Sequence, residues 1–461
     1  MTLIKSISGF RGTIGEQPGD NLTPIDLVKF ASAFSQWMKE QPGDDHLKII
    51  LGRDARISGE LVGSIVSASV NAMGIDVVDL GFATTPTVEV AVVEEGADGG
   101  IILTASHNPG QWNALKLLNN KGEFLTAEDG KRVLELADNE LFQYVPVDDL
   151  GQKHMLEYYE EVHIRKILEL PLVDIEAIKR AKFKVVIDCV NSVGGIAIPK
   201  LLNALGVMDV VELYCEPTGL FPHNPEPLPE HLKDLSEAVV TESAHLGFVV
   251  DPDVDRLAII CEDGSMFGEE YTLVAVADYI LKNKVGNTVS NLSSSRALRD
   301  VTQTYGGQYS PSAVGEVNVV AMMKESNAVI GGEGNGGVIY PDLHYGRDAL
   351  VGIALFLTHL AKQNVSCLEL RNQYPDYYIS KNKIELTADI DIDDLLSKIQ
   401  TVYTDAEINT IDGVKFDFEN GWVHLRKSNT EPIIRVYAES NSSEAADLLA
   451  KEIMDAIQKL K

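Results

Sequence analysis

Apolar residues along the chain fall into two rhythms. Short uninterrupted runs such as Gly99-Gly-Ile-Ile-Leu103, Leu246-Gly-Phe-Val-Val250 and Ala328-Val-Ile330 are four to six residues long or shorter, and read as buried strands. Lys48 to Leu51, Val77 to Leu80, Lys182 to Asp188 and Leu257 to Cys261 read the same way. Between them lie longer stretches with helical spacing. Thr23 is a good N-cap and Pro24 suits the first helical position, which predicts a helix through about Glu40. Its apolar face is expected along Ile25, Val28, Ala31 and Phe34. A second helix runs from Gly59 to Met73 and stops at Gly74, and Pro86 opens a third. Strand and helix alternate, so the class is α/β. Phe221 to Pro229 is too rich in proline for regular structure. Near the end, Lys383 to Thr387 and Trp422 to Arg426 read as strands, and Ile392 to Thr401 and Ser443 to Leu460 as helices. That pattern is α+β. Breaks in the pattern suggest four domains, at 1–151, 152–265, 266–370 and 371–461.

Three of the apolar runs end in loops that carry chemistry. After Leu103 come Ser106, His107, Asn108 and Pro109. Pro109 turns the chain away from helix, so Ser106 sits on a shaped loop. There it could be a nucleophile or a phosphoryl carrier, with Lys116 near enough in sequence to be its base. It could equally be the polar cap of a turn. After Val250 come Asp251, Asp253 and Asp255, in alternation and flanked by two apolar strands. Carboxylates so close repel unless a cation lies among them, and oxygen donors suit Mg²⁺. A solvated acidic turn is the other reading. After Ile330 come five glycines around Glu333 and Asn335. A carboxylate there repels phosphate but can bridge sugar hydroxyls. A fourth loop, Arg426 to Arg435, holds two guanidiniums, an ammonium and two hydroxyls. Arginine meets phosphate bidentately, so this loop is a candidate anion cradle.

The chain has 461 residues and a formal charge of −30. Such acidity argues against nucleic-acid or anionic-membrane partners. It does not exclude a small phosphorylated substrate in a locally basic site. Cys189, Cys215, Cys261 and Cys367 are widely spaced in sequence with no CxxC pair, the pattern of reduced cysteines in a cytoplasmic protein. Neither a secretory signal nor a stretch of membrane-spanning length is seen.

Thr104-Ala-Ser-His-Asn-Pro109, followed by an Asn and then Lys116, resembles the serine loop of the α-D-phosphohexomutases. Asp251-Pro-Asp-Val-Asp-Arg256 resembles their metal loop, and Arg426-Lys-Ser-Asn-Thr-Glu-Pro432 their phosphate loop. Ser6-Ile-Ser-Gly-Phe-Arg-Gly12 resembles their N-terminal loop, with Arg11 facing the site. Gly331 to Gly337 resembles their sugar loop, commonly Gly-Glu-x-Ser-Gly-His, but here Asn335 stands for Ser and Gly337 for His. Ala114 and Ser192 also depart from the family pattern, each replacing a glycine.

The resemblance implies three related α/β domains, with mixed sheets between helices, and a C-terminal α+β domain around a central cleft. It implies a hexose 6-phosphate to hexose 1-phosphate interconversion through phospho-Ser106 and a bisphosphorylated sugar. One Mg²⁺ would sit on Asp251, Asp253, Asp255 and the Ser106 phosphoryl, with hexose 1,6-bisphosphate as activator. Lys116 would be the general acid/base, His107 a support for the serine, and Arg256 a neighbour of its phosphate. Glu333 and Asn335 would face the sugar. Arg426, Ser428, Asn429, Thr430 and Arg435 would hold the other phosphate. The altered sugar loop favours glucosamine phosphate over mannose or glucose phosphate. A monomer or homodimer is expected. A metal-dependent sugar phosphatase and a non-catalytic sugar-phosphate binder are the readings outside the family.

Overall fold

The computed structural model describes residues 2–6, 9–42, 46–386, 392–427 and 433–460. They form two compact units, Met1–Tyr279 with Asn335–Leu370, and Ile280–Gly334 with Arg371–Lys461.

The first unit holds a seven-stranded sheet in the order Ile4–Ser6, Gly9–Thr13, Trp112–Leu118, Gly99–Leu103, Lys48–Arg53, Asp76–Phe82, Lys153–Met155. Every residue of Gly99–Leu103 is buried, as its uninterrupted apolar run requires. It runs parallel to Lys48–Arg53 and antiparallel to Trp112–Leu118, with Ile102 opposite Lys116. The register therefore brings Lys116 beside the strand that ends in the serine loop. The opening segment is two paired strands, with Arg11 in the second and opposite Ala114. Glycine spacing alone suggests only a loop there.

The helix Pro24–Glu40 forms as expected, with Asp26 accepting from the Thr23 backbone N–H at 3.1 Å. Its buried face is not the expected one. Ala31 and Phe34 are buried, but Ile25 is 65% exposed and Val28 lies at the surface. The helix turns Leu27, Phe30, Ala31, Phe34, Trp37 and Met38 inward. This stripe is longer and carries three aromatic rings, so it removes more apolar area from water. Phe30 stacks on Phe10 with ring centroids 3.7 Å apart.

A second sheet in this unit runs Leu257–Cys261, Leu246–Val250, Lys184–Asp188, Asp209–Leu213. The first two strands pair antiparallel over five residues and hold the aspartate loop between them. Lys184–Asp188 and Asp209–Leu213 are parallel. Asn335–Leu370 adds the strand Gly337–Ile339 and the helix Ala349–Gln363, which is buried from Ala349 to Leu360 and apolar on nearly every face. Asp348 caps it, accepting at Oδ1 from the N–H groups of Leu350 and Val351.

The other oxygen of Asp348 lies 3.0 Å from His163 Nε2 and 3.3 Å from His344 Nε2. Glu89 Oε2 lies 3.3 Å from His344 Nδ1. Burial alone would lower the His344 pKa, but Asp348 and Glu89 raise it from 6.5 to about 10. A folded pKa above the unfolded one means that this stabilisation is complete below about pH 6.5 and is lost as pH rises through 10. The thermal midpoint of the wild type should therefore fall between those values more steeply than that of His344→Gln. Parallel curves would show that His344 carries no charge in the fold.

The four cysteines are not isolated in space. Cys189 neighbours Cys215, and Cys261 neighbours Cys367, each close enough for thiol hydrogen bonding. All are free thiols, and burial pushes Cys189 and Cys367 well above the usual thiol range.

The second unit contains the parallel strands Tyr309–Ser312, Asn287–Asn291 and Ala328–Glu333, in that order. It also contains an antiparallel sheet ordered Tyr378–Glu385, Ile433–Ser440, Gly421–Lys427, Val414–Phe418, Glu407–Asn409. The helices Ile392–Gln400 and Ser443–Leu460 accompany this sheet, so the C-terminal part is α+β. Thr387, the expected end of its first strand, lies outside the described residues. Arg296 joins the two parts of the unit. It donates to Asp417 Oδ1 at 2.6 Å and to the carbonyls of Phe418 and Glu419 at 3.1 Å. Among the described residues, no helix is long and apolar enough to cross a membrane.

Candidate active site

Ser106 stands at the carboxyl end of Gly99–Leu103 with φ of 49°, in the left-handed region that few non-glycine residues occupy. Such a conformation costs on the order of 1–3 kcal/mol and needs neighbours that enforce it. Arg56 is the chief of these. Its guanidinium donates to the carbonyls of Asn108 and Pro109 at 2.7 Å, of Trp112 at 3.0 Å, and of Ser106 itself. Its Nε donates to Asp54 Oδ2 at 2.9 Å, and both side chains are fully buried. Asp54 in turn accepts from Thr104 Oγ1 at 2.7 Å, whose oxygen accepts from the Ser106 N–H at 3.0 Å. The serine loop is thus held by a buried ion pair whose guanidinium spends one donor on the Asp54 carboxylate and the other four on carbonyls.

Removing one member of such a pair leaves the other as an uncompensated buried charge, at a cost of about 3–5 kcal/mol. Arg56→Met should lower unfolding stability in urea by that amount. Arg56→Lys should recover little, because an ammonium cannot serve four carbonyls and a carboxylate at once. Full stability of Arg56→Lys would show that the forked geometry is unimportant.

Ser106 Oγ donates to Asp251 Oδ2 at 2.8 Å and lies 3.3 Å from His107 Nδ1. Burial, and next the Arg256 cation, depress the His107 pKa to about 2. The imidazole is therefore neutral and weakly basic, fit to orient the hydroxyl rather than to strip its proton. Arg347 and Arg11 push in the same direction.

Asp251, Asp253 and Asp255 are fully buried, and one ligand oxygen from each lies within 4.8 Å of the others. Their loop passes through Val254 at φ of 63°, in the left-handed region that a β-branched residue rarely adopts. Asp251 Oδ1 accepts from the N–H groups of Asp255 and Arg256. Asp253 Oδ2 accepts from Lys116 Nζ and Thr85 Oγ1, both at 2.6 Å. Asp255 Oδ2 accepts from Arg347 Nη2 at 2.8 Å and Lys116 Nζ at 3.3 Å. The second oxygens of Asp253 and Asp255 are buried with no hydrogen-bond partner. Orphaned carboxylate oxygens are costly, and a hard divalent cation with oxygen preference would satisfy them. The donor set therefore fits Mg²⁺.

Burial and the charges of Asp255 and Asp253 push the Asp251 pKa well up. Burial acts the same way on Asp255, but Arg347, Lys116 and Arg256 outweigh it and hold that carboxyl below the usual range. For Lys116, burial lowers the pKa and the Asp253 and Asp255 carboxylates raise it further than burial lowers it. Lys116 is accordingly an ammonium, half-buried between two carboxylates. Ser192, which departs from the family turn, accepts from the Ala55 N–H at 3.3 Å and donates to the Pro252 carbonyl at 2.7 Å. It links the turn that carries Asp54 and Arg56 to the aspartate loop. Asn335 folds back on its own loop, with Oδ1 accepting from the Gly337 N–H at 3.2 Å.

In the second unit, Glu333 ends its strand buried and accepts at Oε1 from Asn291 Nδ2 at 2.9 Å and from the Gly315 N–H at 3.2 Å. Arg426 and Arg435 are directly opposite in the ladder between Gly421–Lys427 and Ile433–Ser440, so both side chains leave one face. Like charges in that position destabilise a sheet. An anion between them would remove the penalty. Arg426 Nε also lies 2.7 Å from Asp412 Oδ2. Ser428, Asn429 and Thr430 lie outside the described residues.

Four family models cover nearly the whole chain. They describe phosphoglucomutase/phosphomannomutase α/β/α domain I over residues 3–144, domain II over 161–264, domain III over 268–378 and the C-terminal domain over 384–456. The chain belongs to the α-D-phosphohexomutase family. A phosphoglucomutase/phosphomannomutase of Thermococcus kodakarensis is 36% identical over 86% of this chain and 87% of its own length. A phosphoglucosamine/phosphogalactosamine mutase of Sulfurisphaera tokodaii is 34% identical over 89% of this chain and 91% of its own. A crystal structure of a phosphoglucomutase/phosphomannomutase family protein from Burkholderia thailandensis aligns over 99% of this chain and 98% of its own with a TM-score of 0.84, at 25% identity. The four-domain fold, three α/β and one α+β, is that of the family. The protein is a phosphohexomutase, an isomerase that moves a phosphoryl group within a sugar phosphate.

Within this phosphohexomutase, sequence pattern points to Ser106, His107, Lys116, Arg256 and the three aspartates, and the first unit gathers all of them. It does not point to Arg347, nor to Thr85, whose contact with Asp253 spans 168 residues. Arg56 and Asp54 stand two residues apart in Gly52-Arg-Asp-Ala-Arg56, a spacing that permits the ion pair the structure shows.

Proposed function

We propose that this phosphohexomutase is a phosphoglucosamine mutase, interconverting glucosamine 6-phosphate and glucosamine 1-phosphate. The observation that carries the chemistry is the strained, Arg56-clamped Ser106, hydrogen-bonded at 2.8 Å to a carboxylate of the aspartate loop. For the sugar, support comes from the Sulfurisphaera tokodaii relative and from the altered loop at Asn335 and Gly337. The Thermococcus kodakarensis relative favours a second reading, phosphoglucomutase/phosphomannomutase. Side-by-side turnover of glucosamine, glucose and mannose phosphates decides between them. A kcat/KM highest for glucose or mannose 1-phosphate overturns the glucosamine reading.

Ser106 carries the phosphoryl group in the resting enzyme. A free sugar hydroxyl attacks phosphorus, the bond from phosphorus to Ser106 Oγ breaks, and a bisphosphorylated sugar forms. That sugar turns over, Ser106 Oγ attacks the phosphorus of the other phosphate, and the bond from that phosphorus to its own sugar oxygen breaks, leaving the first hydroxyl phosphorylated. Lys116, an ammonium at rest, gives a proton to the departing Oγ and takes up the one the attacking sugar hydroxyl releases, and in the second half-reaction the transfer runs the other way. His107 orients Oγ, and Arg256 and Arg11 hold phosphoryl oxygens. Asp251, Asp253 and Asp255 would hold the Mg²⁺, which when bound neutralises charge on the transferring phosphoryl. Glu333 and Asn335 face the sugar hydroxyls. A hexose 1,6-bisphosphate rephosphorylates Ser106 when the intermediate escapes.

Arg426 and Arg435, with Ser428, Asn429 and Thr430, take the phosphate that is not reacting. Each charge-assisted bond contributes roughly 1.5–3 kcal/mol, a ten- to hundredfold effect on binding. Arg435→Ala should weaken the 1-phosphate and the 6-phosphate alike and release more bisphosphate per cycle. Loss of only one isomer would contradict a shared cradle and favour a one-way phosphatase.

A further inference from the structure

Gly337 has no left-handed backbone to explain it. What excludes a side chain there is space. A Cβ at 337 would lie 2.4 Å from Arg347 Cδ and 3.0 Å from its Cγ. Arg347 is itself buried, and its stem covers Gly337 while its head reaches Asp255, with Nη2 donating to Oδ2 at 2.8 Å. The segment that carries it is stitched to the aspartate loop at two points. Leu257 N–H donates to the Gly336 carbonyl at 3.1 Å and Ala349 N–H donates to the Val254 carbonyl at 3.2 Å, while within the segment Arg347 bridges to Ile339. A Cβ on Gly336 would meet the Leu257 carbonyl at 2.3 Å, so that approach is also fixed.

We infer that Arg347 is a positioning residue of this active site: it occupies the space a side chain at 337 would need and serves as the resident counter-ion that orients Asp255. By taking Oδ2 of Asp255, together with Lys116, it leaves Oδ1 as the oxygen without a hydrogen-bond partner, alongside Oδ1 of Asp253, with only the Arg256 guanidinium near it at 3.9 Å. The departure of position 337 from the resembling sugar loop and the arginine ten residues later are then one feature. The two residues share one space: a larger residue at 337 displaces the guanidinium stem, and loss of the guanidinium leaves a buried carboxylate short of a cation. The inference rests on the reading of the three aspartates as a cation site.

Two measurements on the full-length protein test it. The first is thermal unfolding with and without Mg²⁺. A fixed cation beside Asp255 repels the ion, so Arg347→Met should be less stable than wild type without metal yet gain more from Mg²⁺. Its half-saturation should fall on the order of tenfold, the effect of one screened charge a few ångströms away. Arg347→Lys, which keeps the charge, should retain the wild-type gain. A merely structural arginine would lower both midpoints equally, so a gain from Mg²⁺ in Arg347→Met that is equal to or smaller than that of wild type overturns the inference. If Mg²⁺ fails to stabilise even the wild type, the aspartate reading falls and takes the counter-ion role with it. The second is a cycle without metal. Gly337→His should lower the midpoint sharply in the wild-type background and little in an Arg347→Ala background. An equal loss in both backgrounds contradicts the shared space.

Discussion

Ser106→Ala is expected to abolish mutase turnover, by roughly a thousandfold or more, while the protein stays folded. The loss follows from chemistry, because no other hydroxyl in the loop can carry the phosphoryl group. The fold should persist because Arg56 grips the loop through carbonyls, which the substitution leaves in place. Ser106→Gly should be equally inactive but more stable than Ser106→Ala by about 1 kcal/mol, because glycine adopts the positive φ of this position without strain. Steady-state turnover and urea unfolding of the two variants check both statements. Residual turnover in Ser106→Ala within tenfold of wild type would remove the serine from the reaction.

Asp253→Asn is expected to cut kcat by a hundredfold or more at saturating Mg²⁺. Asp253 accepts from Lys116 and Thr85 through one oxygen and leaves the other buried and unpartnered. An amide keeps the size but loses a full charge from a set of three, and charge stabilisation by a bound ion amounts to several kcal/mol. The variant should also lose most of the thermal stabilisation that Mg²⁺ gives the wild type. Unchanged turnover in excess EDTA, in either protein, would contradict a required metal.

The buried strands were legible because a glycine-bounded apolar run such as Gly99–Leu103 has few alternatives, and the charged loops follow at strand ends. The helix at Pro24 was legible as a helix, from its cap and its proline. Its inward face was not. Ile25 and Val28 keep helical spacing with Ala31 and Phe34, but the rings of Phe30 and Trp37 rotate the helix toward a larger core. The depth of Arg56 and the part of Arg347 were hidden for another reason. Their partners are carbonyls and a carboxylate 50 or more residues away, and nothing in a local pattern encodes a contact of that kind. The thiol pairs at Cys189 and Cys261 were hidden in the same way.

The most direct test of the account is the fate of the phosphate on Ser106. Intact-protein mass should show a fractional single phosphate on the purified wild type and none on Ser106→Ala. Mixing the phosphorylated protein with excess glucosamine 6-phosphate should lower the phosphate on Ser106 within one turnover. The bisphosphorylated sugar should account for all the phosphate that Ser106 has lost, with no inorganic phosphate. A phosphate that persists in Ser106→Ala, or one that leaves Ser106 as inorganic phosphate, would contradict a mutase working through this serine.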